Sequence, residues 1–221
     1  RRIRQGINQP IEPLYTVKLA QVSMYLFKGY PYDQWIEIFD GLKLRFRDAG
    51  HLLGSAIIEM LISEDDKNIK LVYTGDLGNR YIPILKDPTS IDYGDYVIME
   101  STYGDRLHTN LSDDIKNLSQ IILDTFKRGG NVIIPSFAVG RTQEVIYSLN
   151  KYFSENTLKN IKVYIDSPLA AESTSIFSKY KKYYDSEARE LLDKGINPLN
   201  FPGLTFVRSP EESMKLNKIN Q

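Results

Sequence analysis

The hydrophobic pattern changes its period part-way along the chain, and that change restricts the fold more than any other feature. Leu42, Leu44 and Phe46 alternate with Lys43, Arg45 and Arg47, the period of two of a half-buried strand. Apolar runs over 56–62 and 69–73 repeat the strand signal on either side of a polar turn at 63–68, so a β-meander is expected after an opening helical stretch around 17–27. A further strand over 96–99 ends on Glu100, and beyond it the pattern becomes helical. Leu118, Ile122 and Phe126 share one helical face, stopped by Gly129-Gly130. A strand over 131–135, a helix through Val145, Leu149 and Tyr152, a strand over 162–165 and helices near 173–184 and 186–194 follow. That strand–helix–strand order predicts a largely parallel sheet covered by helices. The division falls in the aperiodic polar stretch 105–111.

With 221 residues, 42% of them hydrophobic, the chain can bury a real core. Its 28 basic and 28 acidic residues cancel, so any nucleic-acid binding must come from local basic patches. The absence of cysteine excludes disulfides, zinc-thiolate sites and thiol nucleophiles. It fits a reducing compartment, and a cytoplasmic setting is the expectation. No apolar run approaches the roughly 20 residues of a bilayer-spanning helix, so no membrane partner is expected. The chain starts on Arg1, and Ser209, Pro210 and Glu212 open a helix shortly before its end. A piece of a longer protein is the expectation.

Three polar signals sit where strands end: Gly50-His51, Thr74-Gly75-Asp76 and the stretch from Glu100 to Gly104. Imidazole and carboxylate are the usual protein ligands of zinc, and a carboxylate can bridge two ions. On spacing alone, however, a His after a glycine is an ordinary turn or cap residue, and a strand-end acid an ordinary surface group. Ser136 to Arg141, ahead of a helix, reads as an anion-binding loop in which Ser136, Arg141 and Thr142 add hydrogen bonds to a phosphate. The alternative is a plain capped helix with Arg141 in a structural ion pair. Lys179-Tyr180-Lys181-Lys182-Tyr183-Tyr184 mixes cations and rings as single-strand binding surfaces do, yet a helix with wet lysines and packed tyrosines gives the same string, and that plainer reading is preferred.

The stretches from Asp48 to Ala56, Tyr73 to Gly78, Glu100 to Gly104, Pro135 to Glu144 and Ile165 to Ala170 resemble, in this order and spacing, the β-CASP branch of the metallo-β-lactamase superfamily. The resemblance spans nearly the whole chain. It implies part of a metallo-β-lactamase-like β-sandwich over residues 1–107, followed by a β-CASP domain over 108–221, incomplete at its C-terminal end. It also implies a zinc-dependent ribonuclease in which two ions activate a hydroxide for attack on RNA phosphodiester bonds. His51 would be a terminal metal ligand and Asp76 the bridging carboxylate. Glu100 would be an acid that positions a proton-donating histidine. Single-stranded RNA is the implied partner and a homodimer the implied assembly.

The family's N-terminal His-x-His-x-Asp-His motif and its downstream histidines are absent, and His108, the one other histidine, receives no role. Two ligands cannot hold a dinuclear site, so the 221 residues alone are expected to be inactive. The rivals are a DNA nuclease of the same branch and a non-catalytic subunit that keeps the fold for RNA binding or assembly.

Overall fold

The computed structural model describes residues 13–106, 111–154 and 161–219. His108 and the middle of the expected division at 105–111 lie outside them. The helical stretch expected at the start is α1, Val17–Ser23, capped by Thr16, which accepts the Leu19 N–H, and continued by a single 3-10 turn.

The meander is present and has one more strand than expected. It comprises β1 (Trp35–Phe39), β2 (Leu42–Asp48), β3 (Ala56–Glu64) and β4 (Lys67–Tyr73), each antiparallel to the next. Asp65 and Asp66, both at positive φ, make the two-residue turn between β3 and β4, a backbone that Asp tolerates and that matches strand twist. β5 (Tyr96–Ile98) adds parallel to β4 and completes a five-stranded sheet in chain order.

Cross-strand partners share a face. Leu44, Met60 and Leu71 lie side by side, as do Phe46, Ile58 and Tyr73, with Tyr96 and Ile98 continuing the face on β5. None of these is buried. The opposite face carries Ile57 and Val72, buried with Ala49. It also carries Glu59, 1% exposed, whose carboxylate meets Lys70 at 2.6 Å, Arg45 at 2.7 Å and Arg47 at 3.6 Å. Burial pushes the Glu59 carboxyl up, but the Lys70 and Arg45 contacts outweigh it and hold the group below the usual range.

Beyond the division lie α2 (Leu111–Lys127), α3 (Arg141–Ser154), β6 (Val163–Asp166), α4 (Pro168–Lys179), α5 (Ser186–Asp193), β7 (Leu204–Val207) and α6 (Pro210–Leu216). β6 and β7 pair in parallel, and β7 lies where no strand was expected. Among the described residues the first portion forms one mostly antiparallel sheet, and the parallel sheet of the second has two strands. Residues 131–135 run without a ladder partner, and Ile133 is 88% exposed; an apolar run becomes a strand only where another strand accepts its hydrogen bonds.

The main core joins α2 through Ile122, α3 through Ile146 and Leu149, α4 through Phe177 and the loop residues Tyr184, Leu199 and Phe201. Ile84 and Leu85, from the first portion, are buried in it too. Leu85 bridges to Tyr184, and the Asp185 N–H donates to the Ile84 carbonyl at 2.8 Å. The two portions therefore share a core. No helix among the described residues is long and apolar enough to cross a membrane.

Candidate functional site

β2 and β4 are each antiparallel to β3, so they run the same way, and β5 is parallel to β4. All three therefore deliver their C-terminal loops to one end of the sheet. Those loops carry His51, Asp76 and Glu100.

Side chains fold the His51 loop. Asp48 Oδ1 accepts the Gly50 N–H at 2.9 Å, and Ser55 Oγ accepts the N–H groups of His51 and Leu52, both at 3.1 Å. The Asp76 loop leaves β4 through Thr74, whose N–H donates to the Ile98 carbonyl, and turns at Gly75 with φ +55°. The Gly78 N–H then donates to the Ala49 carbonyl at 2.9 Å. A Cβ on Gly78 would run into the Gly50 carbonyl and come within 2.7 Å of the His51 nitrogen. Only glycine permits this approach, which sets the His51 and Asp76 loops backbone to backbone.

Glu100 is the third member. Its Oε1 accepts the Leu77 N–H at 2.7 Å and its Oε2 the Thr102 hydroxyl at 2.6 Å. Those two hydrogen bonds, with attraction from His51 as a smaller contribution, hold the Glu100 carboxyl below its usual range. An ionised Glu100 thus grips the residue that follows Asp76. The histidine that the family resemblance pairs with this acid is not among the described residues, and Asp76 itself is exposed. Among the described residues no three His, Cys, Asp or Glu side chains gather as a metal site. His51 and Asp76 alone are too few to hold an ion in a defined geometry.

The loop ahead of α3 packs against the same place. Gly140, at φ +83°, is so close to Leu52 that a Cβ there would collide with the leucine side chain. Here sequence reasoning missed the organising residue, Gln143, which is 0% exposed. Its Oε1 accepts the Gly140 N–H at 2.7 Å, and its Nε2 donates to the Ala138 carbonyl at 3.2 Å and to Thr174 Oγ1 at 2.9 Å. An uncharged polar residue inside the amphipathic pattern of α3 was the available signal.

This hydrogen bonding changes the expected anion site. The N–H groups of Gly140, Arg141 and Thr142 are all taken within the loop, by Gln143 Oε1 and by the carbonyls of Val139 and Phe137. Thr142 is 6% exposed, and its hydroxyl donates to the Phe137 carbonyl at 2.7 Å, with Ser136 Oγ 3.2 Å away. Ser136 and Arg141 remain accessible. Arg141 pairs with Glu144 at 2.7 Å. Burial raises the Glu144 carboxyl, while Arg141 and His51 partly offset that.

The chain is similar to known proteins along most of its length. A β-CASP domain profile matches residues 142–221. The chain is 34% identical over 207 residues to Ribonuclease TTHA0252 of Thermus thermophilus, covering 94% of this chain and 46% of that protein. It is 32% identical over 207 residues to the RNase J-like protein of Methanocaldococcus jannaschii, covering 92% and 47%. It is 35% identical over 181 residues to the transcription termination factor FttA of a Lokiarchaeum species, covering 80% and 28%. The chain therefore spans about half the length of the first two relatives and less of the third.

Proposed function

Because the chain belongs to the β-CASP branch of the metallo-β-lactamase superfamily, we propose that it is part of a ribonuclease that hydrolyses phosphodiester bonds in single-stranded RNA. The observation that carries this reading is the convergence of the His51, Asp76 and Glu100 loops at one sheet end, against the Arg141 loop. Two relatives are named as ribonuclease and RNase J-like protein, which favours RNA over DNA as substrate.

Zinc is the proposed cofactor. This chain would offer His51 and Asp76 to it, and the described residues do not by themselves fit such a centre. The remaining donors would come from elsewhere in the intact protein, and the 221 residues alone are proposed to be inactive. The uncovered apolar face of the sheet points the same way. Such a face is what a sheet presents to a second sheet in a sandwich, and the sandwich is proposed to be completed outside these residues.

The chain's own residues would do two things. Glu100, holding the Leu77 N–H, keeps Asp76 in register with His51. Arg141 lies exposed beside them and offers a guanidinium to a phosphate oxygen in exchange for its pairing with Glu144.

The test is cleavage of labelled single-stranded RNA by the intact protein and its His51→Ala and Asp76→Ala variants, with zinc and with chelator. Loss of cleavage in both variants and on chelation is expected. Equal cleavage by all three proteins would reject the metal roles.

A further inference from the structure

A second feature adjoins the His51 loop. Tyr30, Tyr32, Tyr180 and Tyr183 surround a cavity of about 200 Å³ whose floor includes Leu53 and Ile176. Leu53 is two residues from His51 in the loop that Ser55 organises. The Tyr32 hydroxyl ties the cavity to that loop by donating to the Ser55 carbonyl at 2.8 Å. A cavity of about 150 Å³ accommodates benzene, so this one has room for a single flat heterocycle.

The rings are arranged for stacking. Tyr180 and Tyr183 are inclined at 29° with centroids 6.3 Å apart, and Tyr32 meets Tyr183 edge-on at 5.5 Å. Tyr180 is 48% exposed and Tyr30 39%. Both are solvent-accessible, whereas Tyr184, next in the string after Tyr183, is 1% exposed and serves the core. Cations ring the opening. Lys28 Nζ stands 5.1 Å from the Tyr30 ring centre and Lys182 Nζ 4.8 Å from that of Tyr183, with the exposed Lys179 and Lys181 in the same string. Of the acids nearby, Asp33 pairs with Arg47, Asp48, whose charge acts on Tyr32, accepts the Gly50 N–H, and Asp185 accepts the Ala188 N–H. An aromatic slot bordered by exposed lysines suits a π-face flanked by phosphates.

We propose that this tyrosine pocket is a nucleobase subsite, stacking one unpaired base of single-stranded RNA while the bordering lysines hold its phosphates. The proposal rests on the reading of RNA as substrate. The string Lys179 to Tyr184 therefore divides its labour: Tyr184 packs, as the plainer sequence reading has it for the tyrosines, and Tyr180 and Tyr183 face the ligand.

The experiment measures anisotropy of a fluorescent, cleavage-resistant 12-nucleotide single-stranded RNA with the intact protein and its Tyr180→Ala, Tyr180→Phe and Lys182→Ala variants over a salt series. Losing one base–aromatic stack weakens binding about 5- to 150-fold. Tyr180→Ala should therefore bind about tenfold or more weakly with an unchanged salt slope, because no phosphate contact is lost. Tyr180→Phe should match the wild type, and Lys182→Ala should reduce the slope by about one. An abasic position in the RNA should weaken the wild type and leave Tyr180→Ala unaffected. Tyr180→Ala binding as tightly as the wild type overturns the subsite and leaves the RNA reading standing. No RNA binding by the intact wild-type protein overturns both.

Discussion

Gly78→Ala probes the contact that sets the two candidate ligand loops together. The new methyl would collide with the Gly50 carbonyl and lie 2.7 Å from the His51 nitrogen. To reach the 3.4 Å of an ordinary contact, the His51 nitrogen alone must recede by about 0.7 Å. Gly50 has little room to follow, since its own Cβ direction meets Lys86 O at 2.8 Å and Pro88 N at 2.7 Å. The same displacement would stretch the 2.9 Å bond from Gly78 N–H to Ala49 O to about 3.6 Å, beyond hydrogen-bonding range. Forcing a methyl into packed surroundings costs about 1 to 3 kcal/mol and losing a hydrogen bond about 1 more, so a total near 2 to 4 kcal/mol is expected. Urea unfolding of the 221-residue chain reads this directly. With a slope of about 2 kcal/mol/M, the midpoint should fall by roughly 1 to 2 M. Gly29→Ala is the control: the same change, with nothing within 4 Å of the added carbon, should move stability by less than about 1 kcal/mol. Gly78→Ala unfolding with the control, its His51 and Leu77 amide signals unshifted, would refute the backbone-to-backbone contact.

Glu59→Gln should destabilise the chain by about 3 kcal/mol at pH 7, because it leaves Arg45, Arg47 and Lys70 without their shared buried counter-charge. The folded carboxyl sits below its usual value, so its contribution is present above the unfolded carboxyl's titration near pH 4.3 and is lost as pH falls through the depressed folded value. Urea melts should show the gap between wild type and variant closing in acid, and a gap unchanged between pH 7 and pH 3 would contradict this. Gln143→Ala should cost about 2 to 4 kcal/mol, since the buried Gly140 N–H and the Ala138 carbonyl lose their partner. Hydrogen exchange at the Gly140 amide should accelerate relative to the core of α3, and unchanged protection there would exclude the staple role.

Local periodicity revealed β2, β3 and β4 and the helices α2, α3 and α5, because each depends on alternation within its own residues, but it placed α4 near 173–184, about five residues beyond its observed span. It did not reveal β1, where only Ile36 is even half-buried, so no alternation of burial marks it. It suggested a strand at 131–135 that has no partner, since pairing is a property of two segments. Ile84 and Leu85 are core residues in a loop with no periodic context, and nothing local distinguishes them from exposed apolar residues such as Ile133. Glu59 was legible in principle: it is the one charge within the apolar run 56–62, and a buried acid demands the cations that β2 and β4 supply. In the candidate site, the motif strings named His51, Asp76, Glu100 and Arg141 as candidates. The reasons Gly78, Gly140 and Gln143 accompany them are steric and hydrogen-bonding facts that appear only once the loops meet.

Their meeting follows from strand parity. Between the His51 loop and the Asp76 loop the chain crosses the sheet twice, along β3 and back along β4. A seven-residue strand such as β4 carries the chain about 23 Å at about 3.3 Å per residue. One crossing would leave the two loops a full strand length apart, whereas two return the chain to the end it left. Glu100 needs a different solution, because β5 is parallel to β4 and a parallel neighbour requires a crossover. The segment 74–95 supplies it without a helix, and on the way it buries Ile84 and Leu85 in the second portion's core. The crossover that returns the chain for Glu100 therefore also locks the sheet to the elements that present Arg141 and the tyrosine pocket. The position of the site is thus a consequence of connectivity, and the glycines refine an approach that the strand order has already imposed.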